Sequence, residues 1–529
     1  MNSPSLLTAA VFARVAGIFV VVAAATAIFF GPTDNWMWDP SFYYAQMRTP
    51  LIEGNLDMSE DIYPRDVAMP RNKTGLIGSV WPLGPGLLWT PFFLVAHTAK
   101  WLTDSNHADG TSPIYIALVS IGSALYGFVG LLFIFKLCRQ FASSHLALLI
   151  TIACFGASAL LYYSLRQPIM AHTTSFLCSS ALLLTYIYLR KKVIPMRLSG
   201  LLLGVLLALN ILTRWSGALT AIFPVAFFVT VLWQQMAVRD WKAIRITLLQ
   251  IAIAAICCVT VFSPQLAFWY KVYGRWFVSP QGVDSFVAGW LPINLPNVLI
   301  STNRGLIFWM PLAVFGLIGL CRLSDRPLRA LLLAYFAIAC VLIGYRVDWY
   351  SGAGFGARYF IELLPVIAIG LCALFCHWDL HVVGRWALRF LVFALVAHQL
   401  LLMYVYEHAP SNGWVDYLAF GTGQPLGIRF QLDSALKLIW QPILWFQLRP
   451  YVGMDRQSLP VALMATPSNL RTLPQIPLIG TLCAPFLAIG AAWMLYKLRS
   501  RGATITAAFV IIYCLAWFVF LLSIPTRAV

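Results

Sequence analysis

The chain has 529 residues, of which 60% are hydrophobic and only 10% charged, and its mean hydropathy is +0.79. That balance excludes an ordinary soluble domain, where apolar content is nearer half and charge about a quarter, and the long unbroken apolar runs exclude an outer-membrane barrel of short alternating strands. A net charge of +17 would suggest nucleic acid in a soluble protein; here the basic residues gather at the ends of apolar runs, where they anchor and orient helices, so no nucleic-acid partner is expected.

The expected fold is an all-α polytopic membrane protein, since a chain in lipid must pair its backbone polar groups within its own helices. Apolar windows of bilayer-spanning length fall at 7–30, 113–136, 146–162, 169–189, 198–213, 217–234, 247–264, 305–321, 330–345, 359–376, 388–405, 477–495 and 504–523, about thirteen in all. The first is too long and too poorly flanked for a cleavable signal peptide and lacks an A-x-A site. The stretch "LGPGLLWTPFFLVAHTAKWL" (83–102) is also apolar, but prolines and glycine near its start predict a re-entrant or interfacial helix. The 11 cysteines lie in apolar runs or beside basic residues at helix ends, with no CxxC spacing, so neither a disulfide framework nor a metal knuckle is expected.

Basic clusters set the orientation. "KLCRQ", "RKKVIPMR", "RDWKAIR", "RLSDRPLR", "GRWALR" and "KLRSR", with Arg14, hold about half of the 36 Lys and Arg. The positive-inside rule places them, and the N-terminus, in the cytoplasm. Three large pieces then face outward: 31–112, 265–304 and 406–476. The domain organisation expected is a transmembrane catalytic module over 1–405, an external loop over 406–476 serving as a lid or acceptor surface, and C-terminal transmembrane helices over 477–529. No low-complexity linker and no clear internal repeat interrupts it.

The first outward piece opens with "WDPSFYYAQMRTPLIEGNLDMSEDIYP", which carries Asp39, Glu53, Asp57, Glu60 and Asp61. Asp followed by Pro is a helix start, the Asp capping and the Pro occupying the first helical position. Phe42, Tyr43, Met47 and Leu51 then predict a short amphipathic helix on the membrane surface. Asp39 reads either as a cap or as a partly desolvated general base, and the two roles can coexist. The acids of "EGNLDMSED" read as solvated turn residues, or as ligands for acceptor hydroxyls or a divalent cation. Their spacing is no recognised metal motif; no metal site is assigned and no cofactor is firmly implied.

The order "WDPSFYY…LIEGNLDM", then "TGLIGSVWPLGPGLLWTPFFLVAH", resembles the first external loop of bacterial GT-C glycosyltransferases, relatives of protein O-mannosyltransferases and the lipid A aminoarabinose transferase. "RQPIMAHTTSF", "LTRWSGAL", "SPQLAFWYKVYG", "STNRGLIFWMPL" and "WYSGAGFGARYFIELLP" are similar to later segments of that family, so the likeness covers roughly residues 30–375. Many relatives carry Asp–Glu where this chain has Asp39–Pro40, which leaves a two-carboxylate role there without its second acid. The resemblance implies a GT-C-like bundle with interfacial helices in the first external loop, in a bacterial inner membrane with the site facing the periplasm. It implies sugar transfer from a polyprenyl-phosphate donor to a lipid, glycan or protein acceptor, usually with inversion, among membrane lipids. Asp39 would be the base. Arg214, Arg304 and Arg358, at outside ends of spans, would clamp the donor phosphate, although arginines there also snorkel. Tyr43, Tyr44, Asp57, His172, Asp348 and Trp349 would meet substrate. Two rivals stay open. A transporter or flippase of lipid-linked glycans should place ionisable groups near the bilayer midplane, where Glu362 is the main exception to their scarcity. An O-antigen polymerase or ligase would not need the early acidic loop.

Overall fold

The computed structural model describes residues 39–62, 71–278, 285–286, 291–301, 304–352, 354–408 and 500–524. The windows 7–30 and 477–495 and the loop 409–476 lie outside the described residues. In chain order the helices are α1 (Asp39–Arg48), α2 (Gly84–Thr103), α3 (Pro113–Cys138), α4 (Ser144–Gly156), α5 (Leu160–Leu165), α6 (His172–Arg190), α7 (Ser199–Thr213) and α8 (Ile222–Ala237). They continue with α9 (Trp241–Tyr273), α10 (Leu295–Ile300), α11 (Leu306–Trp309), α12 (Leu312–Cys321), α13 (Arg326–Gly344), α14 (Leu364–Phe375), α15 (Val382–His408) and α16 (Ser500–Ser523). Among the described residues the only strand-like pairing is one isolated bridge, Phe286 with Arg346.

Among the described residues eight segments are long and apolar enough to cross a membrane: Pro113–Cys138, Met196–Thr213, Trp215–Ala237, Trp241–Tyr273, Arg326–Gly344, Arg358–Phe375, Val382–Leu400 and Thr506–Ser523. Each answers an expected window, and the protein is a multi-pass helical membrane protein. Two windows, 146–162 and 305–321, are not single spans. The first breaks between α4 and α5, where the Ser158 hydroxyl takes the Cys154 carbonyl and accepts from the Leu160 amide, so a side chain replaces the helical ladder. The second breaks between α11 and α12 at Pro311, which has no amide hydrogen to donate.

The 83–102 stretch forms an unbroken 20-residue helix despite Pro91. Pro91 cannot donate to the carbonyl one turn back, that of Leu87, and the Tyr513 hydroxyl donates to that oxygen instead at 2.7 Å. In α9, Pro264 similarly frees the Thr260 carbonyl, which the Ser263 hydroxyl takes at 2.7 Å. Prolines survive inside these helices because a hydroxyl occupies the freed acceptor.

The chain forms two compact units. One, in its described residues, lies within 39–137, 167–278 and 500–524 and holds α1–α3, α6–α9 and α16; we call it the acidic-loop unit. Its helices α7 and α9 pack backbone to backbone: a Cβ on Gly204 would lie 2.3 Å from the Ala254 carbonyl oxygen, so only small residues fit. The other unit, in its described residues, lies within 138–166 and 285–408 and holds α4, α5 and α10–α15; we call it the arginine unit. There α12 and α14 meet at Gly319 and Gly370, where a Cβ on Gly319 would come within 1.8 Å of the partner carbonyl.

Removing the Tyr513 hydroxyl isolates the Leu87 carbonyl. Tyr513→Phe is expected to lower stability by about 1 kcal/mol, read as a fall in the thermal midpoint of the detergent-solubilised chain. An unchanged midpoint would mean that the oxygen has another donor.

Candidate functional site

In the acidic-loop unit Asp39 opens α1 and is half-buried. The expected amphipathic surface helix is not what forms: every residue from Pro40 to Met47 is buried. The reason is packing on α2 and its approach segment. Tyr43 stacks on Trp81 at 6.0 Å and meets the edge of Trp89 at 6.3 Å. The Tyr44 hydroxyl donates to the Gly110 carbonyl at 2.6 Å, and Gln46 donates to the Trp81 carbonyl at 2.7 Å. Polar groups all round α1 are thus used internally, which a periodicity argument cannot foresee.

Glu53, Asp57 and Asp61, after α1, are fasteners. Arg48 binds Glu53 at 2.6 Å, Asp61, and the Asp109 carbonyl at 2.8 Å. Thr49 adds a hydrogen bond to Asp61. Asp57 accepts from the amides of Ser59 and Ile77 at 3.3 and 3.1 Å and from Arg71 at 2.9 Å. Partial burial of Asp57 pushes its carboxyl up, but the Arg71 and amide hydrogen bonds outweigh it and hold the group below the usual range. Glu53, Asp57 and Asp61 are therefore engaged by partners, while Glu60 is exposed. Among the described residues no group of three His, Cys, Asp or Glu is placed to hold a metal ion.

Arg214 and His172 belong to the same unit and meet. Arg214 caps the end of α7 in an extended conformation and its Nη1 lies 3.1 Å from His172 Nδ1. A guanidinium only donates, so Nδ1 accepts and the imidazole is neutral with its proton on Nε2. His172 starts α6, which α3 fixes through the Ser123 hydroxyl on the Pro168 carbonyl and on Thr173. The segment 79–84 ties this turn to α1. Its Trp81 holds Tyr43 and Gln46, its Val80 carbonyl accepts from Trp215 at 3.2 Å, and Gly84 sits where a Cβ would be 2.3 Å from the Leu212 carbonyl oxygen.

In the arginine unit Phe355 is the anchor. It is fully buried, stacked on Tyr162 at 4.5 Å and edge-on to Trp309 at 5.5 Å, and its carbonyl accepts from Tyr163 at 3.1 Å. Its neighbour Gly354 is thereby fixed between two predicted arginines. Arg304, 7% exposed, donates from Nε to the Gly354 carbonyl at 2.5 Å. Arg358, 9% exposed, lays its guanidinium against Gly354, where a Cβ would be 2.7–2.8 Å from Cζ, Nε and Nη1. Arg304 holds a backbone φ of +65°, a strained conformation of the kind that clusters at binding sites. Two further buried charges belong to this unit, Arg166 at the end of α5 and Glu362 in the 3-10 turn Arg358–Leu363.

Asp348, expected to meet substrate, is held by its own unit. Arg346 binds it through two nitrogens at 2.8 and 3.0 Å and the Tyr359 hydroxyl adds 2.9 Å. Burial raises its carboxyl pKa, but the Arg346 bonds and charge and the Tyr359 bond outweigh that and hold it below the usual range. A carboxylate so bound is a weak base. Trp349 is half-buried, edge-on to Tyr350 at 5.7 Å. Sequence reading missed Arg48, Arg166 and Arg346; only Arg346 carried a local signal, an arginine two residues before Asp348.

No protein-family model matches the chain, and no curated protein sequence matches it. Solved structures do. The crystal structure of the Archaeoglobus fulgidus oligosaccharyltransferase in complex with zinc and sulfate aligns over 80% of this chain and 57% of its own, at 14% identity and a TM-score of 0.42. The archaeal oligosaccharyltransferase AglB from Archaeoglobus fulgidus, bound to an inhibitory peptide and a dolichol-phosphate, aligns over 82% and 60%, at 14% identity and a TM-score of 0.45. The chain spans about three fifths of the length of these structures.

A methyl group on Gly354 displaces the Arg358 guanidinium. Gly354→Ala is expected to lower the thermal midpoint, and Arg358→Ala to cost less in that background than in the wild type, with a coupling of about 0.5–3 kcal/mol in a double-mutant cycle. Additive effects would mean that the two residues do not touch.

Proposed function

We propose that the protein is a GT-C-type membrane glycosyltransferase that moves a hexose or pentose from a polyprenyl-phosphate donor to an acceptor hydroxyl on the external, periplasmic face of a bacterial inner membrane. The observation that carries this reading is the convergence of the buried Arg304 and Arg358 on Gly354. Two guanidinium groups beside one glycine bring together the planar, forked donors that suit a phosphate. The order of the motifs from "WDPSFYY" to "WYSGAGFGAR" points the same way.

The reaction needs a base, a cationic partner for the leaving phosphate and exclusion of water. Asp39 takes the proton of the acceptor hydroxyl as its oxygen attacks the anomeric carbon. The bond from that carbon to the phosphate oxygen breaks, and the charge that develops on the leaving phosphate is met by arginine, for which Arg214, Arg304 and Arg358 are the candidates. Attack opposite the leaving group inverts the anomeric centre. Neutral His172 orients Arg214. Trp349 offers a ring face to the sugar, and Tyr43 serves the site by fixing α1 against Trp81. Tyr44, Asp57 and Asp348 act as positioning residues, through α1, the 71–77 loop and Tyr359. This reading routes no step through a cofactor.

Asp39→Asn keeps the shape of the side chain and removes the base. In nanodiscs with a panel of polyprenyl-phosphate sugars, the variant should bind donor and elute as a folded protein while transferring sugar about 10²–10⁴-fold more slowly. A folded variant that transfers at the wild-type rate would sink the role of Asp39. Consumption of no donor by the wild type would sink the enzyme reading.

A further inference from the structure

Arg346 and Tyr359 lie beside the buried arginines of the arginine unit and take no direct part in the reaction above. The main chain at Arg346 gathers residues 285–294. Phe286 and Arg346 form the isolated bridge, and the Val347 amide donates to the Ser285 carbonyl at 3.1 Å. Asn294 donates from its side-chain amide to the Arg346 carbonyl at 3.0 Å. The Arg346 side chain is 18% exposed and forks onto Asp348. Two nitrogens on one carboxylate fix the plane of a guanidinium. So fixed, the group meets two rings: Arg346 Cζ lies 5.8 Å from the Phe286 centroid and 5.4 Å from that of Tyr359.

Tyr359 joins this group to the buried arginines. Its hydroxyl donates at 2.9 Å to Asp348, the same carboxylate that Arg346 grips. Its ring carries a second cation, since Arg358 Cζ lies over it at 5.9 Å. Both guanidinium groups are within the reach of a cation–π attraction, about 6 Å. The Asp348 carboxylate neutralises Arg346 and so lowers the repulsion between two cations that share one ring. Two neighbours therefore set the place of Arg358: the Tyr359 ring, and Gly354, where a Cβ would be 2.7 Å from Arg358 Cζ.

We propose that Tyr359 and Arg346 are positioning residues that set the selectivity of Arg358 for a lipid-borne phosphate; this rests on the role given above to Arg358. Arg346 holds the Tyr359 ring through Asp348, and the ring holds the guanidinium. Orientation matters because a guanidinium binds phosphate through two parallel N–H bonds. An arginine held loosely still attracts the charge but loses the fork, and with it the advantage of phosphate over an uncharged headgroup.

The test measures, for the full chain in detergent, the ratio of its affinities for a polyprenyl phosphate and the matching polyprenol. Tyr359→Leu removes the ring and should lower the ratio about three- to tenfold, with polyprenol affinity unchanged. Tyr359→Phe keeps the ring and should keep most of the ratio. Arg346→Lys keeps the charge without the fork and should also lower the ratio; it decides the matter should Tyr359→Leu not fold. In an Arg358→Gln background Tyr359→Leu should change the ratio no further. A wild-type ratio in Tyr359→Leu or in Arg346→Lys would overturn the proposal. So would equal losses of phosphate and polyprenol affinity, a ratio in Tyr359→Phe as low as in Tyr359→Leu, or additive losses in the double variant. If Arg358→Gln lowers the ratio and Tyr359→Leu does not, the positioning role falls alone and the phosphate clamp stands. If the wild type shows no preference for the phosphate, both fall.

Discussion

A guanidinium that leaves water must be met by acceptors, and residues 354–358 are shaped by that demand. Phe355 fills an aromatic box formed by Tyr162, Tyr163 and Trp309. The box fixes Gly354, whose carbonyl serves Arg304 and whose missing side chain leaves room for Arg358. Breaks in the neighbouring spans serve the same end. The stop at Ser158 lets α5 present its tyrosines, and the stop at Pro311 ends the short helix that carries Trp309. An apolar anchor thus supports a polar cradle, and the arginine positions are consequences of packing a few residues away.

The acidic-loop unit solves a different problem by similar means. Arg48 gathers Glu53, Asp61 and the Asp109 carbonyl, and Arg71 holds Asp57. Acids that would repel one another are thereby turned into cross-links that clamp the chain after α1. Asp39 stands apart from this network at the other end of the helix. The residues that fix α1, Tyr43, Tyr44 and Gln46, also fix the direction in which its first turn points.

The long spans were legible because composition over twenty residues decides them: a run such as 247–264 has no other way to satisfy its backbone in lipid. The broken spans were not, since Ser158 and Pro311 act through single hydrogen bonds that a hydropathy window averages away. The continuity of α2 through Pro91 depends on Tyr513, more than 400 residues distant (426), which no local reading contains. Among the candidate residues, the sequence placed Arg304 and Arg358 at the ends of spans, but their meeting at Gly354 depends on the long-range anchor at Phe355. The pairing of Asp57 with Arg71 and of Asp348 with Arg346 was not legible, because those arginines are ordinary basic residues until the fold brings them to bonding distance.

The claim on which the account turns is that the buried arginines bind a lipid-borne phosphate. Its most direct measurement is the affinity of the purified chain for a polyprenyl phosphate against the matching polyprenol, in wild type, Arg304→Gln and Arg358→Gln. The account predicts that wild type prefers the phosphate, and that each substitution removes most of that preference while the weaker binding of the polyprenol stays unchanged. Equal binding of phosphate and alcohol by the wild type, or a preference untouched by either substitution, would contradict it.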